Sequence, residues 1–149
     1  MKIIDNFLDK NNFKLVKDTF QASNFPWYYT PFQVKPGDNS FMFCHLFVND
    51  DKRHSQFTES MRPFLNKLNI KKLLRIKANL TTKKQEHIKG EMHTDFENCT
   101  TAIWYLNTNN GYTLFEDGIR WNVLKIEWLY LILIKNIAVW SQVIVNSES

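Results

Sequence analysis

Leu73-Leu-Arg-Ile-Lys-Ala-Asn-Leu80 alternates apolar and polar side chains from Leu74 onward. A period of two places Leu74, Ile76, Ala78 and Leu80 on one face of an extended strand and Arg75, Lys77 and Asn79 on the other. The stretch predicts a half-buried strand, and the sequence on either side repeats the theme. Residues 100–107, Thr-Thr-Ala-Ile-Trp-Tyr-Leu-Asn, are β-branched and aromatic, and Asn109-Asn-Gly111 signals a tight turn into a further strand at Thr113-Leu-Phe115. Upstream, Phe41-Met-Phe-Cys-His-Leu-Phe-Val48 is a continuous apolar and aromatic run that predicts a more deeply buried strand. Phe25-Pro-Trp-Tyr-Tyr-Thr-Pro31 carries a proline near each end, which suits an edge strand, where a missing backbone donor does little harm.

Two segments follow the other period. Phe13, Leu15, Val16 and Phe20 recur at helical spacings within residues 9–22, with Asp9 placed to cap, and Met61, Phe64, Leu65 and Leu68 trace a second stripe within residues 58–68. The expected fold class is thus mainly β with N-terminal helices, an α+β arrangement in one domain. A chain of 149 residues is long enough for one substantial core. Hydrophobic residues make up 44% and aromatics 15%, with four glycines and four prolines, which excludes a disordered or collagen-like chain.

Nineteen basic against 15 acidic residues leave a net charge of +4, a mild bias towards anionic partners that singles none out. The cluster Lys67, Lys71, Lys72, Arg75 and Lys77, continued at Lys83 and Lys84, has no zinc-finger spacing or arginine-rich arm beside it, so a solvated face is expected and nucleic acid is not. The N-terminus Met1-Lys-Ile-Ile-Asp-Asn-Phe7 shows no secretory signal, so a cytoplasmic setting with Cys44 and Cys99 reduced is expected. The apolar run from Trp128 to Ile134 is far shorter than the about 20 residues a spanning helix needs, and no membrane partner is expected. A strand pair across residues 128–145, turning at Lys135-Asn136, fits its aromatic and β-branched content.

His93-Thr-Asp95 is the chemically pointed motif. In extended backbone, side chains two residues apart leave from the same face, so an imidazole nitrogen and a carboxylate oxygen can reach one ion. These donors suit Fe(II), and two histidines with one carboxylate on one octahedral face leave positions open for substrate chelation and dioxygen. Elsewhere the residues read structurally. His45 reads as a hydrogen-bonded histidine on a strand face, His54 as solvated, His87 as a polar-loop residue, and Cys44 as a small core side chain. Tyr105, Leu106 and Phe115 read as core.

The ordered series Leu74-Arg-Ile76, His93-Thr-Asp95, Ala102-Ile-Trp-Tyr-Leu-Asn107 and Gly111-Tyr-Thr-Leu-Phe-Glu-Asp-Gly118 resembles the prolyl-hydroxylase-like branch of the Fe(II)/2-oxoglutarate oxygenases over about residues 73–118, and more loosely the short phage and marine bacterial members. The resemblance implies a double-stranded β-helix, or jelly roll, incomplete at the C-terminus, with residues 1–72 as support, 73–118 as motif-bearing core and 119–149 as an atypical tail. It also implies His93 and Asp95 as metal ligands, with no catalytic residue beyond them. Asn79, Tyr105 and Thr113 would face the cosubstrate. Fe(II) is the implied metal and 2-oxoglutarate the cosubstrate, with ascorbate an admissible reductant. The implied reaction is hydroxylation of a C–H bond in a small-molecule or peptide substrate. The family supplies a second histidine and then a basic residue after the carboxylate. Here no histidine follows His93, and Arg120, the one later arginine, comes too early. Three readings of the tail stay open: a segment translated out of frame after Gly118; a divergent site completed by Glu116, Asp117 or Glu127; and a non-catalytic jelly-roll binding domain.

Overall fold

The computed structural model describes residues 2–38, 40–82, 93, 96, 98–108, 111–115, 117–122, 131–135 and 139–140. Along the chain run β1 (Lys2–Ile4), α1 (Lys10–Gln21), β2 (Tyr28–Thr30), β3 (Met42–Asn49), β4 (Lys52–Arg53), a 3-10 turn (Gln56–Met61) that passes into α2 (Arg62–Leu65), β5 (Arg75–Leu80), β6 (Thr100–Trp104), β7 (Tyr112–Phe115), β8 (Arg120–Asn122), β9 (Leu131–Lys135) and β10 (Val139–Trp140). Every strand pairing is antiparallel. One sheet has the order β1-β9-β6 and a second β10-β7-β8, while in the third β3 pairs with β2, β4 and β5. The mainly β class with N-terminal helices is as expected.

Local chemistry explains most element ends. Asp9 caps α1 by accepting the Asn12 N–H at 3.0 Å, which satisfies one of the donors left open by the first helical turn. The second helical stripe is shorter than its periodicity predicts. Pro63 has no N–H to give the carbonyl four residues back, so the chain winds as 3-10 turn over Gln56–Met61, with the Arg62 N–H bonded to Glu59, before a single α-turn forms. Ser55 caps that turn through its Oγ, which accepts the Phe57 N–H at 3.0 Å. Asp38 organises the loop before β3: its carboxylate accepts N–H groups of Gln33, Val34 and Ser40 at 2.8–3.0 Å, which holds its pKa below the usual carboxylate value.

The continuous apolar run of β3 has a structural cause. Its register with β5 steps from Leu46↔Lys77 to Val48↔Ile76, so Phe47 is an extra residue in a bulge. His45 and Phe47 lie on the core side, and the bulge then turns Val48 inward as well, where strict alternation would have put it outside. Val16 and Phe20 of α1 pack with Phe25, Phe47, Val48, Met61, Phe64 and Ile76, and the Trp104 ring of β6 stacks on Phe64 with centroids 4.2 Å apart. Residues in and just after β6 alternate in kind: Ala102, Trp104 and Leu106 lie against this cluster, whereas Ile103 and Tyr105 are buried on the opposite side.

Among the described residues after Gly118, three strands join two sheets. The expected pairing within residues 128–145 does not form among the described residues. β9 lies between β1 and β6, and β10 pairs with β7. Asn136 and the Asn109-Asn110 turn lie outside the described residues.

β3 and β4 are joined by Asp50 and Asp51, both in the left-handed region (φ 47° and 60°), which is the backbone of a two-residue type I′ turn. A side chain with a Cβ costs roughly 1–2 kcal/mol per residue there, less for aspartate, and glycine avoids it. Asp51→Gly is therefore expected to stabilise the fold by about 1 kcal/mol, read as a higher urea midpoint with an unchanged slope.

Candidate functional site

His93 is half-buried and sits at a single β-bridge position between β5 and β6 in the chain. Asp95 lies outside the described residues, as do His87, Glu116 and Glu127. The neighbouring Phe96 is fixed on two sides: the Arg75 guanidinium of β5 lies 4.9 Å from its ring centroid, and its carbonyl accepts the Cys99 thiol at 3.3 Å. Asn98, at φ 56°, then turns the chain into β6. Phe96, three residues after His93, is thus held against Arg75 at the start of β5.

Of the three candidate cosubstrate residues, Tyr105 and Thr113 touch each other. Asn79 lies on β5, opposite Cys44 of β3, with its Oδ1 buried and no hydrogen-bond partner among the described residues. Such an acceptor carries a desolvation cost until a donor reaches it. Tyr105 and Thr113 are brought together instead: the Tyr105 hydroxyl bonds the Thr113 Oγ1, and both residues are fully buried. Burial pushes the Tyr105 phenol up to about 12, only partly offset by the bond from Thr113. Tyr105 and Phe115 are core residues, as their composition suggested.

Asp117, one of the alternative metal donors, accepts the Ile119 N–H at 3.0 Å in the turn between β7 and β8, where Gly118 takes φ 81°. Arg120 lies on β8 with its guanidinium 3.7 Å from the Tyr112 ring centroid. Among the described residues no group of three or more His, Cys, Asp or Glu side chains is placed to hold a metal ion. Nor is any described helix long and apolar enough to cross a membrane.

A second chemically notable arrangement involves His45, which is bonded at both ring nitrogens as a strand-face histidine would be: Nδ1 lies 2.7 Å from the Pro26 carbonyl and Nε2 2.6 Å from Ser55 Oγ. Ser55 was not singled out by sequence, because nothing in the chain between positions 45 and 55 signals that the two side chains meet. His54 is exposed, and Cys44 is half-buried with its sulfur 3.2 Å from Thr30 Oγ1. Both cysteines are free thiols. Compared with protein families, with curated proteins and with solved structures, the chain matches none of them.

The buried Tyr105–Thr113 pair has a measurable effect on stability. Tyr105→Phe or Thr113→Val alone strands a buried hydroxyl and is expected to cost about 1–3 kcal/mol, whereas the double variant costs less than the sum of the two. A phenol pKa raised from 10.0 to about 12 means that the folded state resists the phenolate. Its contribution is complete below pH 10 and falls as pH rises towards about 12, so alkaline unfolding measured over that window is expected to flatten in Tyr105→Phe.

Proposed function

We infer that this chain is a Fe(II)- and 2-oxoglutarate-dependent dioxygenase of the hydroxylase type, with His93 and Asp95 as protein ligands to the metal. The observation that carries the reading is the ordered series from Leu74 to Gly118, in which a basic strand, a His-x-Asp motif, a Tyr-Leu-Asn strand and a Gly-x-Thr-x-Phe strand follow in family order. Antiparallel sheets with a helical layer over one of their faces are compatible with a jelly roll.

The residues present fit such a group in kind. A half-buried imidazole and a carboxylate two positions on are suitable donors for Fe(II). Iron and cosubstrate, when bound, would supply activation of dioxygen and oxidation of a substrate C–H bond. The chain's own part is positional. β5 and β6 flank the motif in the chain, Arg75 steadies Phe96, and the buried Tyr105–Thr113 bond ties the end of β6 to β7. The substrate class in this reading is a small molecule or peptide, and ascorbate is an admissible reductant.

A second reading, a jelly-roll binding domain without catalysis, draws on His93 being the last histidine of the chain. Two protein ligands fix a metal less firmly than three, so weak iron affinity is common to both readings. Anaerobic calorimetric titration with Fe(II) in the presence of 2-oxoglutarate separates them from a chain with no metal site. Binding is expected in the parent protein and at least tenfold weaker in His93→Ala. Equal affinity in the two would remove His93 from the site.

A further inference from the structure

We propose that Ser55 is a nucleophilic serine activated by His45, a site able to take an acyl group from an activated ester.

The geometry is that of a nucleophile, a base and an orienting group in series. The Pro26 carbonyl can only accept, so the His45 Nδ1 at 2.7 Å carries a hydrogen and donates it. In the neutral ring this leaves Nε2 as an acceptor, and the Ser55 hydroxyl at 2.6 Å donates to it. The tautomer needed to draw a proton from the serine is therefore set by a backbone group. The ring plane is set by packing: Phe25 and Phe47 lie with centroids 4.5 Å from that of His45, and Phe57 at 6.0 Å. His45 is buried at 2% exposure, while Ser55 is half-buried at the start of the 3-10 turn, so the base is the more shielded of the two.

Two more groups bear on Ser55. The Phe57 N–H donates to its Oγ at 3.0 Å, which favours negative charge developing on that oxygen. The Arg53 guanidinium donates to the carbonyls of Ser55 and Gln56 at 2.8 and 2.9 Å, holding positive charge beside the residue. A serine that served only to cap the turn would use the Phe57 bond and would have no need of an imidazole; the second bond is what distinguishes this one.

With p-nitrophenyl acetate as the activated ester, Ser55 Oγ forms a bond to the carbonyl carbon as its proton passes to His45 Nε2. The carbon–oxygen bond to the leaving group breaks, and p-nitrophenolate departs with the electron pair. His45 returns the proton to the phenolate or to water. Water then attacks the acetyl ester, releasing acetate and restoring the serine hydroxyl.

The test incubates the full chain with p-nitrophenyl acetate and locates acetyl groups by peptide mass spectrometry. Acetylation of Ser55 is expected, with at least a tenfold lower yield in His45→Gln. Because that variant also loses a buried tie, Ser55→Cys supplies an internal control: in one folded protein the introduced thiol should react with iodoacetamide at least tenfold faster than Cys44 or Cys99. The proposal is overturned if the parent remains unacetylated at Ser55, if His45→Gln is acetylated equally, or if the introduced thiol reacts no faster than the other two.

Discussion

The stack of Trp104 on Phe64 joins β6 to the cluster that α1, the 3-10 turn, β3 and β5 build together, and the facing of the residues around the end of β6 depends on it. Full burial of Phe64 contributes about 1.5–3 kcal/mol, while ring geometry adds about 0.5–1.5 kcal/mol, so removal from water outweighs stacking as such. The contact commits Trp104 to the cluster built on α1 and the 3-10 turn. Alternation along the extended chain then commits Ile103 and Tyr105 to the other side, where Tyr105 meets Thr113. One aromatic pair thereby sets which side chains near the end of β6 can face the candidate site.

Phe96 and Asn98, described residues of the connection from β5 to β6, are each placed by local contacts or backbone. Arg75 begins β5, and its guanidinium lies on the Phe96 ring; the left-handed Asn98 starts the approach to β6. His93 precedes both Phe96 and Asn98 in that connection. In the third sheet, the bulge at Phe47 leaves His45 buried where its two nitrogens join the Pro26 segment to the Ser55 turn. The two chemically pointed places in the molecule thus rest on different constraints.

Legibility in the sequence followed the range of the interactions. The Asp9 cap, the alternation of β5 and the proline-bounded edge strand β2 depend on neighbours a few residues away, and each appears where the pattern placed it. The shortened second helix was also local, but its cause, the missing donor of Pro63, works against an otherwise helical stripe. The bulge was not legible, since a run of apolar residues does not reveal which one is supernumerary. Partner choice was least legible: the Leu131–Lys135 strand joins β1 and β6, so its place is set by contacts far away in the chain and not by the turn that follows it. The same applies to the sites. His93 was marked by its spacing to Asp95, whereas the meetings of Ser55 with His45 and of Tyr105 with Thr113 depend on tertiary packing.

In the proposed function, the motif segment serves oxygen chemistry driven by 2-oxoglutarate. Its most direct test is to follow succinate by NMR as the chain is supplied with Fe(II), 2-oxoglutarate and dioxygen. Succinate is expected above the protein-free rate and is lost in His93→Ala. Succinate no faster than in buffer, from protein shown to be folded, would contradict catalysis and leave the jelly-roll binding domain as the reading that stands.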